Sequence, residues 1–323
     1  MKAAVLHQAG SLPKYEEFPT PVPQNNDQIC INMRASAIKN LDKLRASGKH
    51  YMSYTSFPVV VGIDGVGVLE DGTRVYAQGI TGMIAEKALI SKNNYVVLPD
   101  KIDDITAAAL PNAVIGATMA LRFRAEMKKG DVVLINGATG VTGQIAVQIA
   151  KLDGASRIIV TGRNEESLEK LKTLGADVIV SLKQSDEAII EQLKEIHGST
   201  PVNIVIDYLW GHPVELIIAS LKGGGLHNIT PKVRIVTVGS MAGENINMSS
   251  GTLRSTAIEI LGSGIGSISK EDMQRFYLEI LPEMFRQAAD GKLKIEAEKA
   301  SLKDIETIWN YTPSPGKRLV VCI

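Results

Sequence analysis

Residues 137 to 143 read Gly-Ala-Thr-Gly-Val-Thr-Gly, three glycines at regular spacing behind an apolar run, and this is the stretch best suited to chemistry. Four consecutive β-branched or leucine residues, Val132 to Ile135, predict a strand buried on both faces, and the spacing of Ile145, Ile149 and Leu152 predicts a helix directly after the turn. A turn of this kind needs glycine for tightness, for close approach of backbone N–H groups to a pyrophosphate, and for packing helix on strand. The helix N-terminus adds partial positive charge. Thr139, Gly140, Val141 and Thr142 are therefore the candidate contacts of a dinucleotide, through backbone N–H and hydroxyl groups.

The next strand, Ser156 to Val160, says which dinucleotide. An acidic side chain roughly 20 residues past the glycines would hold an unphosphorylated ribose. Position 162, nineteen residues past Gly143, is instead glycine, followed by Arg163 and Asn164. Loss of the carboxylate removes repulsion toward a 2′-phosphate and the guanidinium offers it charge-assisted donors, so the expected cofactor is NADP(H), with Arg163 and Asn164 at the phosphate.

Composition narrows the partners. The chain has 323 residues, room for two domains, and its 35 Lys plus Arg equal its 35 Asp plus Glu, so no strong field draws it to nucleic acid or an anionic membrane. No stretch approaches the roughly 18 apolar residues of a membrane span and the N-terminus lacks the pattern of a signal peptide, which points to a cytoplasmic protein with a small-molecule partner. Cys30 and Cys322 lie in apolar runs and read as small buried hydrophobes. The five histidines are scattered, so no metal is expected.

The elements that must position these residues fall into two patterns. From Lys2 to about Pro99 short strands alternate with turns, at 2–6, 28–33, 65–69, 74–76, 84–90 and 95–98, with one short helix over 40–47 and an extended connector at Pro19, Pro21 and Pro23. Helical content over 104–127, interrupted by Pro111, leads into regular α/β alternation. Strands at 157–160, 178–180, 203–207, 234–238 and 258–262 are separated by helices at 143–152, 165–174, 186–197 and 213–221, which predicts a doubly wound parallel sheet. A helix over 270–289, a strand near 295–297, a helix over 302–311 and a last strand at 318–322 close the chain. The run Gly223 to Thr230 precedes no helix and reads as a flexible hairpin.

A strand-rich start, Gly62-Ile-Asp-Gly-Val-Gly67, Leu110-Pro111 with Thr118, the glycine turn, Leu174-Gly-Ala-Asp177, Asp207, Gly239-Ser240, Gly262-Ser263 and Gly316-Lys317 together resemble the medium-chain dehydrogenase/reductase superfamily over the whole chain. The resemblance implies an α/β protein in which a GroES-like β domain, residues 1–115 and 266–323, carries the substrate site, and a Rossmann doubly wound parallel-sheet domain, residues 116–265, binds the cofactor. It adds Thr118, Gly239, Ser240, Gly262 and Ser263 to the cofactor residues. Zinc members carry a Cys three residues before an Asp and later a Gly-His-Glu. Here Lys39 stands three before Asp42, and Gly62-Ile63-Asp64 occupies the second motif, so both ligand positions are lost.

The closest pattern is thus the zinc-free, quinone oxidoreductase-like branch. It implies NADPH-dependent, zinc-independent hydride transfer to a quinone or an α,β-unsaturated carbonyl, by a homodimer. The other reading is a catalytically silent NADPH-binding structural or regulatory protein. Lys39 stands where the metal would be, able to supply charge and a proton or to serve a structural ion pair with Asp42 or Asp64. Tyr51 and Tyr54 lie in the loop that often supplies a cleft tyrosine, and these three are the catalytic candidates. The glycine turn also resembles that of extended short-chain dehydrogenases, but no tyrosine here is followed four residues on by lysine.

Overall fold

The computed structural model describes residues 1–222 and 231–323, and the hairpin expected at 223–230 lies outside them. In chain order the elements begin with β1 (Lys2–Leu6), β2 (Lys14–Glu17), β3 (Gln28–Ile38), α1 (Asn40–Ala46), β4 (Val59–Val60), β5 (Asp64–Val68), β6 (Arg74–Gly79), β7 (Lys87–Val97) and α2 (Asp104–Ala109). Then come α3 (Pro111–Thr118), continued by a π-helical turn to Arg124, β8 (Val132–Asn136), α4 (Val141–Leu152), β9 (Arg157–Gly162), α5 (Glu165–Leu174), β10 (Val178–Ser181), α6 (Asp186–Ser199), β11 (Ile204–Asp207), α7 (Gly211–Ser220), β12 (Val233–Thr237), α8 (Ser250–Ser255) and β13 (Ile258–Gly262). The chain closes with α9 (Lys270–Arg275), a π-helical turn, α10 (Leu281–Ala289), β14 (Glu296–Ser301), α11 (Ile305–Ile308) and β15 (Lys317–Cys322).

The chain divides into two units, Met1–Asn112 with Met273–Ile323, and Ala113–Asp272. In the second, six parallel strands lie in the order β10-β9-β8-β11-β12-β13, the doubly wound order that places a switch point beside β8. All five residues of β8 are buried, as a strand covered by helices on both faces requires. Leu134, Ile159, Val205 and Ile235 of the sheet pack with Leu193, Val214 and Ile217 of the helices. Glu165 and Glu166 sit in the first turn of α5 behind an Asn164 cap, and left-handed Gly175 (φ 118°) ends that helix.

The first unit holds a sheet in the order β14-β15-β3-β5-β6-β7, and β7 also pairs with β3, so those last four strands close on themselves. A smaller sheet, β2-β1-β4, buries Ala4 and Leu6 against Ile38, Val61, Ile84, Trp309 and Leu319. Sequence reading splits β7 in two. One strand runs through because its first half pairs with β3 and its second with β6, which carries Asn93 and Asn94 across an otherwise unfavourable stretch. β2, β4 and α8 are short elements without apolar periodicity, and sequence reading passes over them. The helix expected over 302–311 shrinks to a 3₁₀ turn and the four residues of α11.

Candidate functional site

In the second unit the candidate residues gather at the carboxyl ends of the strands. β8 ends in buried Asn136, whose Nδ2 donates to Asp207 Oδ1 (2.7 Å) and whose Oδ1 accepts from Thr161 Oγ1 (2.5 Å). Gly137 follows at φ 82°, where a side chain would be strained, and its N–H donates to Thr161 Oγ1 (3.2 Å). Gly143 lies so close to the turn that a Cβ would sit 2.6 Å from Ala138 Cα, whereas a Cβ on Gly140 would meet nothing nearer than Gly137 O at 3.9 Å. The glycines thus clamp helix onto turn on one side and leave open space before the N-terminus of α4 on the other, a cradle with the shape and polarity for a pyrophosphate.

The added candidates differ in how free they are. Arg163 is exposed at the end of β9 and has no hydrogen bond or ion pair among the described residues. Asn164 Oδ1 accepts from Ser167 N (2.8 Å), so its oxygen caps α5. A Cβ on Gly162 would lie 2.6 Å from Thr139 Cγ2, which brings the turn threonine against the strand end that carries Arg163. Thr118 is fully buried and donates its hydroxyl back to Val114 O (2.8 Å), leaving no donor for a ligand. Gly239, Ser240 and Ser263 line a cavity of about 300 Å³ together with Trp210, Thr237, Val238, Glu244 and Gly264. Gly262 is not on its wall, and its carbonyl accepts from Arg124 Nε (2.7 Å).

Trp210 and Glu244 are wall residues that sequence reading misses. Trp210 adopts φ 54° and is fixed by its own N–H, which donates to both oxygens of Asp207 (3.1 and 3.0 Å), and Glu244 accepts from Ser240 Oγ (2.8 Å). Burial pushes the Asp207 carboxyl above its ordinary range, opposed by the bonds from Asn136, Trp210 and Leu209. The available signal was Asp207 at the end of an apolar strand.

In the first unit β3 delivers Lys39 to the N-terminus of α1, only 2% exposed. Its Nζ lies 2.8 Å from Asp64 Oδ1, 3.3 Å from Asp42 Oδ2 and 3.2 Å from Ala37 O. A lysine ammonium has three N–H donors, and three acceptors surround this one. Burial opposes its charge, but Asp42 and Asp64 outweigh that, and its pKa stands above the ordinary lysine value. Asp42 also accepts from Lys39 N (2.9 Å) and Ile63 N (3.1 Å). Burial raises its pKa against the pull of Lys39.

Asp64 pairs in register with Gln78 of β6, and the Tyr76 phenol belongs to the same strand two residues before Gln78. Burial, then the Asp64 charge, raises that phenol well above its ordinary value. Gln78 Nε2 donates to Tyr277 Oη (2.6 Å), a phenol that burial has pushed up to about 12. These tyrosines carry no sequence signal, because the pairing of β5 with β6 brings in Tyr76 and the bond from Gln78 brings in Tyr277 from the π-helical turn before α10.

The two tyrosines predicted for catalysis part company. Tyr51 is 77% exposed and rests on the His50 ring (4.2 Å between centroids). Tyr54 packs on the core of the first unit beneath the Arg45 guanidinium (4.7 Å), its hydroxyl closed off from solvent without a hydrogen-bond partner among the described residues and its pKa raised by burial. The charges of Asp42 and Lys39 reach Tyr54.

Zinc does not fit the Lys39 position, since an ammonium cannot ligate it and the two carboxylates there are turned onto Lys39. Among the described residues no three His, Cys, Asp or Glu side chains assemble as a metal site.

Residues 141–283 match the family model described as zinc-binding dehydrogenase, a span that contains neither Lys39 nor Asp64. The chain is 27% identical over 350 residues to the probable NADPH-dependent quinone reductase tdiC of Emericella nidulans, covering 96% of both. It is 28% identical over 356 residues to the acryloyl-coenzyme A reductase of Sulfurisphaera tokodaii, covering 98% of both. Its fold superposes with a TM-score of 0.78 on the quinone oxidoreductase of Thermus thermophilus, solved alone and with NADPH, at 22% identity and over the full length of both chains. The Rossmann order and the closed β unit are the fold of that solved structure, and over most of its length the chain is similar to proteins named as quinone and acryloyl-coenzyme A reductases.

Proposed function

We propose that the protein is an NADPH-dependent oxidoreductase that reduces a quinone or an α,β-unsaturated carbonyl without a metal. One observation carries the coenzyme choice. Beside the glycine cradle, where a carboxylate would select an unphosphorylated ribose, stand Gly162 and an exposed Arg163 that has no partner among the described residues. The names of the quinone reductase and acryloyl-coenzyme A reductase relatives support both NADPH and an electron-poor acceptor.

NADPH, when bound, supplies a hydride. The chain's own residues hold and orient it. Backbone N–H groups of Gly140 to Thr142 face the pyrophosphate, Arg163 meets the 2′-phosphate, and the Gly239, Ser240 and Ser263 wall receives the nicotinamide end. Lys39 serves as the fixed cation that neutralises Asp42 and Asp64, and its held-up pKa and saturated N–H groups leave proton delivery to solvent or to a tyrosine. The protein acts as a cytoplasmic homodimer in this reading, joined through the free edge of β13.

The second reading, a silent NADPH-binding protein, draws on the same saturation of Lys39 and on the exposure of Tyr51. Mixing the protein with NADPH and a panel of quinones and enones decides between them. Saturable oxidation by one acceptor is the expected result, tight binding with no oxidation by any acceptor transfers the case to the second reading, and absence of NADPH binding defeats both.

A further inference from the structure

The cavity in the second unit carries a charge that nothing on its own wall answers. It lies wholly within Ala113–Asp272 and measures about 300 Å³, at the small end of ligand pockets, with room for one substituted ring and not for a whole dinucleotide. Among the described residues that line it, Glu244 is the one ionisable side chain and Trp210 the one aromatic, and threonine, serine, valine and glycine make up the rest. Glu244 accepts a single hydrogen bond among the described residues, from Ser240 Oγ to Oε1 (2.8 Å), and makes no ion pair with them. Arg124, whose Nε meets the Gly262 carbonyl one residue before Ser263, is not on the wall.

Contacts inside the same unit join this cavity to the glycine cradle. A Cβ on Gly137 would stand 2.8 Å from Leu209 Cγ, so the cradle abuts the residue before Trp210. Likewise a Cβ on Gly116 would stand 3.0 Å from Thr142 Cγ2 and 3.9 Å from Val238 Cγ1, so one residue of α3 lies within reach of both the first turn of α4 and the cavity wall. The nicotinamide half of a dinucleotide held by its pyrophosphate in the cradle has this cavity as its neighbour.

A carboxylate and an indole on one wall suit a cation, which the charge attracts directly and the aromatic ring through its quadrupole. The two redox forms of the coenzyme differ in that respect. Loss of a hydride, one proton with two electrons, from C4 leaves the nicotinamide ring with one positive charge, and the acceptor gains the hydride and takes a proton from water. We infer that Glu244, with Trp210, makes this cavity select the oxidised coenzyme ring over the reduced one. The inference rests on the proposed reduction. Glu244 is exposed, so solvent and salt screen its charge and hold the preference to a few-fold. By linkage a preference in binding is equally a gain in the driving force for hydride donation by bound NADPH, about 30 mV for a tenfold ratio in a two-electron couple.

Calorimetric titration with NADP⁺ and with NADPH tests it. E244Q should weaken NADP⁺ by about three- to tenfold and leave NADPH within about twofold, and E244D should recover part of the loss. Rising salt should shrink the difference between wild type and E244Q. ADP-ribose 2′-phosphate, which lacks the nicotinamide, should bind wild type and E244Q alike. W210L should also lower the preference for NADP⁺, and W210F should give most of it back. An unchanged ratio of NADP⁺ to NADPH affinity in E244Q overturns the inference, as does a loss shared with ADP-ribose 2′-phosphate, and E244Q still decides it if W210L fails to fold. A ratio set by Glu244 in a protein that passes no hydride to any acceptor would defeat the proposed reduction alone, whereas NADPH oxidation with an unaltered ratio in E244Q would defeat the role of Glu244 alone. A wild type that binds neither coenzyme defeats both.

Discussion

Single residues at two positions carry the functional reading, and they are legible in the sequence to different degrees. Arg163 is read from a spacing, since position 162 is where a ribose-binding acid would stand, and the structure leaves its guanidinium free at a strand end. Arg163→Ala should weaken NADPH binding by about 1–3 kcal/mol and hardly touch NADH, measured by fluorescence titration, and equal losses would count against the assignment. Lys39 is read from a register against zinc proteins, and sequence alone leaves open whether it meets substrate or carboxylates. Distances of 2.8 and 3.3 Å show it paired with Asp64 and Asp42. Lys39→Met strands two buried acids and should cost about 3–5 kcal/mol in urea unfolding, part of which Asp64→Asn in the same chain should restore. Because the folded pKa of Lys39 is raised, its contribution is fully present below the unfolded lysine value and disappears as pH climbs through the folded one. The gap between wild type and Lys39→Met should accordingly be wide at neutral pH and narrow in strong alkali. A pH-independent gap would contradict the ion pair.

Elements with a strong period were readable, and those held together by pairing were not. The strand-turn-helix of β8 and α4 and the span of α5 follow from burial pattern, caps and glycine placement, all local properties of the chain. β4, two residues long, exists only because β1 offers Val5 and Leu6 as partners, and Trp210 comes to the cavity only through the Asp207 carboxylate at the end of β11. The same distinction explains the site, since glycines announce themselves by type whereas Tyr76 and Tyr277 are ordinary aromatics until a strand pairing places the one and a bond from Gln78 the other. Gly143→Ala tests the tightest contact among these elements. Its Cβ would fall 2.6 Å from Ala138 Cα and 2.8 Å from Ala138 C, both backbone, so α4 must move off the turn. The change should destabilise by about 1–3 kcal/mol and weaken NADPH and NADH alike, by melting and by titration. Selective loss of NADPH would contradict it.

At the scale of the whole molecule the parallel sheet is open at both ends, and β13 is one of its two edge strands among the described residues. Ile258 and Ile260 lean on the core, while the backbone of the strand is free on its outer side. Sedimentation should show a dimer, and proline at whichever of Ile260 and Leu261 turns its N–H outward should release monomers that keep NADPH binding. A monomeric wild type would remove the edge from consideration. The closed β unit raises a different matter, the order in which the chain can acquire its shape. β15, which follows the whole of the second unit in chain order, lies between β14 and β3 rather than at a border. On a ribosome the segment 113–272 can complete its own sheet and resist protease early, while residues 1–112 must wait, with β3 missing one neighbour, until β15 emerges. Until β15 is made, then, the half that carries Lys39 keeps one side of β3 without its partner.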